Sequence, residues 1–133
     1  MKHQSGKSKG RRGQKEVRQL ILDHFPELDE GDIDWRSMGA GGTDLILSPK
    51  AENEVGPLRF EVKYQSSPPW EPGLEQAKDH VEGENDIPIY VRRRNYEDWV
   101  VVMPFEDLLR LKEVWAGDNE ETLRKLKELA RKL

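Results

Sequence analysis

Two carboxylates and a lysine have the types and spacing to do chemistry. Glu61 and Lys63 lie two residues apart in LRFEVKYQ, residues 58–65, where Leu58, Phe60, Val62 and Tyr64 alternate with charged residues. In a strand, positions i and i+2 share a face, so Glu61 and Lys63 stand side by side, opposite the apolar set. Asp44 follows the turn GAGG at 39–42 and sits at the mouth of the strand TDLILS. If these two strands pair, as the short connection suggests, Asp44 and Glu61 converge at one sheet edge. Like charges held together need a cation, and hard oxygen donors select Mg2+, with Mn2+ as a substitute. Mg2+ keeps waters that serve as nucleophile and polarises a phosphoryl oxygen, and a neighbouring lysine orients the attacking water. This is a toolkit for phosphodiester hydrolysis. It suits acyl transfer poorly, because the chain has no Cys and His3, His24 and His80 lie near no evident nucleophile.

The elements that must position these residues are legible as patterns. Residues 1–12 are polar and aperiodic and are expected to form a flexible basic arm. Val17, Leu20, Ile21 and Phe25 have helical spacing in GQKEVRQLILDHF, with Glu16 at the border of the apolar stripe. DIDWRSM, TDLILS and LRFEVKYQ read as strands, PKAENEVGP as a turn or hairpin loop, and LEQAKDHVEG as a helix. IPIYVRRR and DWVVVMP follow as a strand hairpin around NYE. Two helices, FEDLLRLKEVW and NEETLRKLKELARKL, end the chain, split by AGD; the second, over 118–133, is amphipathic with Asp118 or Asn119 as N-cap. The expectation is a single α/β domain over 13–133, with a central mixed sheet of about five strands flanked by helices.

Composition bounds the function classes. The chain has 133 residues, 36% of them charged, and a net charge of −4. Residues 1–18 carry seven basic side chains against Glu16 alone, a net of +6 that leaves −10 for the remainder. A basic arm on an acidic body points to a polyanionic partner. The lack of Cys excludes a disulfide scaffold and a Cys-based zinc site, and a reducing, cytoplasmic location is the expectation. No apolar run approaches the ~20 residues of a membrane span.

GGTDLILS followed by FEVK, with a Glu on the preceding helix and a Gln on the following one, resembles the PD-(D/E)XK nuclease superfamily. Thr43 stands where the name has Pro. Within the superfamily, the basic start, Glu16, WRSMGAGGTD and FEVK most resemble the archaeal-type Holliday junction resolvases, over roughly residues 10–103. The resemblance implies a restriction-endonuclease-like fold. It implies that Asp44, Glu61 and the Val62 carbonyl bind the metal, that Lys63 positions the water, and that Glu16 completes the acidic site as a ligand or through water. It also places Ser37 near the catalytic loop and Gln76 beside the site. The implied enzyme is a homodimer that nicks a four-way DNA junction, leaving 5′-phosphate and 3′-hydroxyl ends. Two alternatives stay open: a replication-repair nuclease of the same superfamily acting on flaps or other branched DNA, and a non-catalytic DNA-binding accessory protein.

Cations for the phosphate backbone are Lys7, Lys9, Arg11, Arg12 and Lys15 of the arm, Arg36, and Arg92 and Arg94, which alternation sets on the side of their strand opposite Arg93. Trp70, in the loop SSPPWEPG, is a candidate to stack on an unpaired base. WVVVMPF at 99–105 and the Leu stripe of the last helix are candidate dimer surfaces, and both read first as core.

Overall fold

The computed structural model describes residues 6–36 and 41–132, with side chains except at 6–8 and 116–119. These residues form four helices and five strands in an α/β arrangement, and the chain divides into two compact units, Met1–Met103 and Pro104–Leu133. No helix among them is long and apolar enough to cross a membrane.

The first unit starts with α1, Gly6–His24, and a 3-10 turn at Glu30–Asp32. The short strands β1, Ile33–Trp35, and β2, Leu45–Leu47, pair antiparallel. After α2, Pro49–Val55, comes the long strand β3, Leu58–Tyr64. Helix α3, Glu71–Asp79, crosses to β4, Ile87–Arg93, which pairs parallel with β3 and sets Glu61 beside Tyr90 and Lys63 beside Arg92. β5, Val100–Val102, returns antiparallel to β4.

The expected five-stranded sheet is therefore two sheets, one of two strands and one of three. The seam lies at Asp44. Its backbone N–H donates to the Phe60 carbonyl at 3.0 Å, but the next donor on β3, the Val62 N–H, is taken by the Asp44 carboxylate rather than by a backbone carbonyl. A side chain occupies the place of a ladder partner, and the ladder stops there.

Several boundaries differ from the sequence reading, each for a local reason. α1 begins at Gly6, so the described part of the expected arm is helical; Arg11 and Lys15 lie over the Trp35 ring at 4.9 and 5.7 Å, and Lys9 lies over Tyr64 at 4.9 Å. The expected loop at 49–57 contains α2, because Ser48 caps the Ala51 N–H, Pro49 opens the helix, and Ala51 and Val55 bury one turn apart. α3 begins three residues earlier than its pattern and ends at Asp79.

The second unit is one helix, α4, Phe105–Arg131, in place of two. A single glycine inside a helix costs only about 1 kcal/mol relative to alanine, and no proline interrupts this stretch. Glu121–Lys125 and Arg124–Glu128 add ion pairs one turn apart beyond the expected break. Asp118 and Asn119, expected as an N-cap, lie inside the helix. Leu123, Leu126 and Leu129 are exposed, as are Val100 and Val101 of β5, so the stretches read first as core supply surface.

Both faces of β3 are covered, and glycines set how closely. A Cβ on Gly13 of α1 would lie 2.8 Å from the Tyr64 Cβ and 3.6 Å from Val62, which identifies the face that α1 covers. On the opposite face, a Cβ on Gly73 of α3 would lie 2.2 Å from the Tyr90 ring. Tyr90 is fully buried and its hydroxyl donates to the Pro69 carbonyl at 2.6 Å, so the ring has nowhere to go. Gly73→Ala is expected to destabilise the protein by about 1–3 kcal/mol through overpacking. Urea midpoints test this, and an unchanged midpoint would mean that Tyr90 is free to move aside.

Candidate active site

Glu61 points from β3 toward the α3 side and is 2% exposed. Its Oε2 shares a hydrogen bond of 2.9 Å with Nδ1 of His80, the C-cap of α3. Asp44 approaches the same strand from its open edge, where Oδ2 accepts the Val62 N–H at 2.6 Å. One carboxylate thus projects from β3 and the other is clipped to the backbone of the next residue. Their charges interact: burial first, and then the Asp44 carboxylate, push Glu61 above the usual carboxylate range against the opposing pull of His80 and Lys63. Burial also raises Asp44, against the Val62 N–H and the charges of Lys63, His80 and Arg36. The expected convergence of Asp44, Glu61 and Lys63 is present, although the strands around Asp44 and Glu61 do not form a continuous ladder.

His80 was missed in the sequence, where it lay near no evident nucleophile. It belongs with Glu61 because the β3–α3 connection folds the helix back over the strand. The available signal was its position one turn after Gln76, at the end of the helix that follows FEVK. Gln76 is half-buried on α3, and its carbonyl accepts the His80 N–H at 3.1 Å. Ser37 lies outside the described residues.

Glu16 does not join the pair. α1 covers the Val62–Tyr64 face of β3, opposite Glu61 and Lys63, and there Glu16 Oε2 accepts hydrogen bonds from Arg93 Nη1 at 2.9 Å and Trp99 Nε1 at 3.2 Å. Arg12 lies 3.5 Å from its other oxygen. Of the expected apolar stripe, Val17 is buried, Ile21 and Phe25 are half-buried and Leu20 is exposed; Glu16 borders Val17 but does not reach the acidic face of the strand. Glu52, read as a solvated loop residue, pairs at 2.9 Å with Arg59, which also holds Asp86 at 3.0 Å. These three residues and His80 line a cleft of about 280 Å³ that reaches Thr43 and Arg36.

The proposed DNA-binding cations divide. Lys9 bonds Asn95, and Lys9, Arg12 and Arg93 surround the Tyr64 ring, while Arg11, Lys15 and Arg18 gather on Trp35. Of Lys7 only the backbone, in α1, is described. Arg36 donates from Nε to the Thr43 carbonyl at 2.8 Å and contributes to the field at Asp44. Arg94 is exposed, with Glu97 at 3.8 Å. Arg92 corrects the sequence reading: it is buried, its Nη2 donates to the Pro68 carbonyl at 2.9 Å, and its guanidinium lies 3.6 Å from the centre of the Trp70 ring. It has no free face for a phosphate.

The donor set can be tested against a metal. Among the described residues, no group of three His, Cys, Asp or Glu side chains is placed to hold one. Among the described residues, the hydrogen bonds of Asp44 and Glu61 each engage one carboxylate oxygen. Two carboxylates with an oxygen to spare suit Mg2+, which binds through one or two carboxylates and keeps waters or substrate oxygens in its other positions. Comparison with protein-family models, curated proteins and solved structures finds no match to this chain.

Proposed function

We propose that the protein is a Mg2+-dependent, structure-selective DNA endonuclease, and that its substrate is a four-way junction. The observation that carries the reading is the pairing of half-buried Asp44 with buried Glu61, each raised by burial and Glu61 raised further by its neighbour, with Lys63 on the same strand face two residues on. A buried like-charge pair is costly and is relieved by a bound cation. Asp44, Glu61 and the Val62 carbonyl would hold Mg2+, which supplies charge neutralisation at the phosphoryl group and an activated water. Lys63 orients the water at the scissile phosphate and offsets charge that develops there. His80 fixes the direction of the Glu61 carboxylate, as outer-shell partners of ligands do. The cations of α1, with Arg36 and Arg94, bind the phosphate backbone.

A junction has two-fold symmetry and its resolution needs two matched nicks, which a symmetric homodimer supplies. The exposed Val100 and Val101 of β5 and, separately, the exposed leucines of α4 are two candidate surfaces for it.

The test is strand cleavage of an end-labelled four-way junction and of a linear duplex of the same sequence, with Mg2+ or with chelator. Paired symmetric nicks in the junction alone, lost in chelator, are expected. Cleavage of both DNAs would move the substrate to the flaps and branched ends of related nucleases, and binding without cleavage in either condition would refute the catalytic reading.

A further inference from the structure

We propose that Trp70 is a rigid stacking platform for an unpaired nucleobase, an inference that takes its ligand class from the nuclease reading. Trp70 is 57% exposed, in a loop that is otherwise fixed. Pro68 and Pro69 restrict the backbone before it. Two side chains of β4 then pin successive carbonyls of that loop: Arg92 donates to Pro68 at 2.9 Å and Tyr90 donates to Pro69 at 2.6 Å. The Arg92 guanidinium also lies under the indole, 3.6 Å from its centre, and is itself only 6% exposed. Burying a cation without full hydrogen bonding is costly, and the buried Arg92 Nε has no hydrogen-bond partner among the described residues. The arrangement makes sense if the arginine exists to hold the ring.

An exposed aromatic ring fixed in advance loses little entropy when it binds, which is how anchor residues gain affinity. The position of the ring selects the ligand. Tyr90 and Arg92 stand in register with Glu61 and Lys63, so the loop they pin lies on the same side of the sheet as the candidate catalytic pair. A strand presented to Lys63 would run on the side of the sheet where Arg92 holds Trp70. A paired, stacked base offers that face nothing, whereas an unstacked base at a gap or branch point offers its own π-surface. The selectivity for branched DNA thus resides in Trp70 rather than in base-edge hydrogen bonds.

The experiment is a fluorescence titration in chelator. One DNA is a duplex with a short single-stranded gap carrying 2-aminopurine, and the other is a continuous duplex. Wild type is expected to quench the probe and to prefer the gapped DNA. Trp70→Ala is expected to weaken gapped-DNA binding by about 5- to 150-fold, the range for loss of one stacked base, and to leave continuous duplex unchanged. Trp70→Phe should retain most of the preference. Arg92→Met should follow Trp70→Ala, because the ring loses its support. Equal losses on both DNAs, no loss on either, or a Phe variant as weak as Ala with an unchanged circular dichroism spectrum would overturn the platform. A Trp70-dependent preference in a protein that cleaves nothing with Mg2+ would leave the platform standing and remove the nuclease reading. Junction cleavage by a protein whose gap preference ignores Trp70 would do the reverse.

Discussion

Asp44→Asn is expected to lower junction cleavage by at least about a hundred- to a thousand-fold while DNA binding persists or tightens. The isosteric amide removes the negative charge but keeps an oxygen that accepts the Val62 N–H, so the seam between the two sheets survives. Loss of a negative charge near the phosphate favours binding. Asp44→Ala separates the two roles of this side chain. It leaves a buried N–H without its partner, which costs about 1–3 kcal/mol, so the alanine variant should lose stability as well as cleavage. Cleavage assays on both variants, beside urea denaturation, distinguish the outcomes. Undiminished cleavage by Asp44→Asn would remove Asp44 from the chemistry, and parallel loss of binding and cleavage would assign it to DNA contact.

Glu61→Gln should be inactive and yet more stable than wild type in chelator at neutral pH, by about 1–3 kcal/mol. The direction follows from proton linkage. Burial, and then Asp44, raise the folded-state value of Glu61 above its ordinary 4.5, and burial raises Asp44 above 3.8. Between the ordinary and the raised values the folded chain holds protons that the unfolded chain has released. Stability therefore falls as pH rises through that window, and the penalty is fully present above it. Glutamine has no charge to bury and still accepts a hydrogen bond from His80. The advantage of Glu61→Gln should shrink as pH is lowered through the window, where wild-type Glu61 becomes neutral. Adding Mg2+ should raise the urea midpoint of wild type more than that of the variant. A variant less stable than wild type at neutral pH would mean that the Glu61–His80 contact outweighs burial and repulsion.

The residues that met in space were the ones whose pattern was local. Alternation in LRFEVKYQ set Glu61 and Lys63 on one face and Val62 and Tyr64 on the other, and the fold keeps that division. Asp44, two residues after Gly42 with its left-handed backbone, lies at the edge of β3. Alternation likewise separated Arg92 from Arg93, and Arg93 pairs with Glu16 on the other face. What local pattern does not carry is which layer covers which face. Glu16 sits on the right helix, but that helix packs on the wrong side of the strand for Glu16 to reach Glu61. His80 sits near Glu61 because α3 covers the other side. Arg92 looked like any surface arginine because nothing in RRRN reveals that Trp70 folds over it. The break assigned to AGD failed because propensity is a sum over a long helix, and one glycine weighs little against the i, i+4 pairs around it. Whether five strands make one sheet or two was decided by a single side chain competing with a backbone carbonyl.

That competition has a consequence for self-association. A strand edge with open N–H and C=O groups is a template on which a second chain can pair, and proteins blunt such edges with charge or with capping groups. Among the described residues, Asp44 is the one bonded to the free edge of β3 at its middle, through its N–H to the Phe60 carbonyl and its carboxylate to the Val62 N–H. The same carboxylate that would hold a metal is therefore also a stopper on an aggregation-prone edge. A variant that discards Asp44 therefore opens the Val62 N–H on the edge of β3 to a partner from outside the chain.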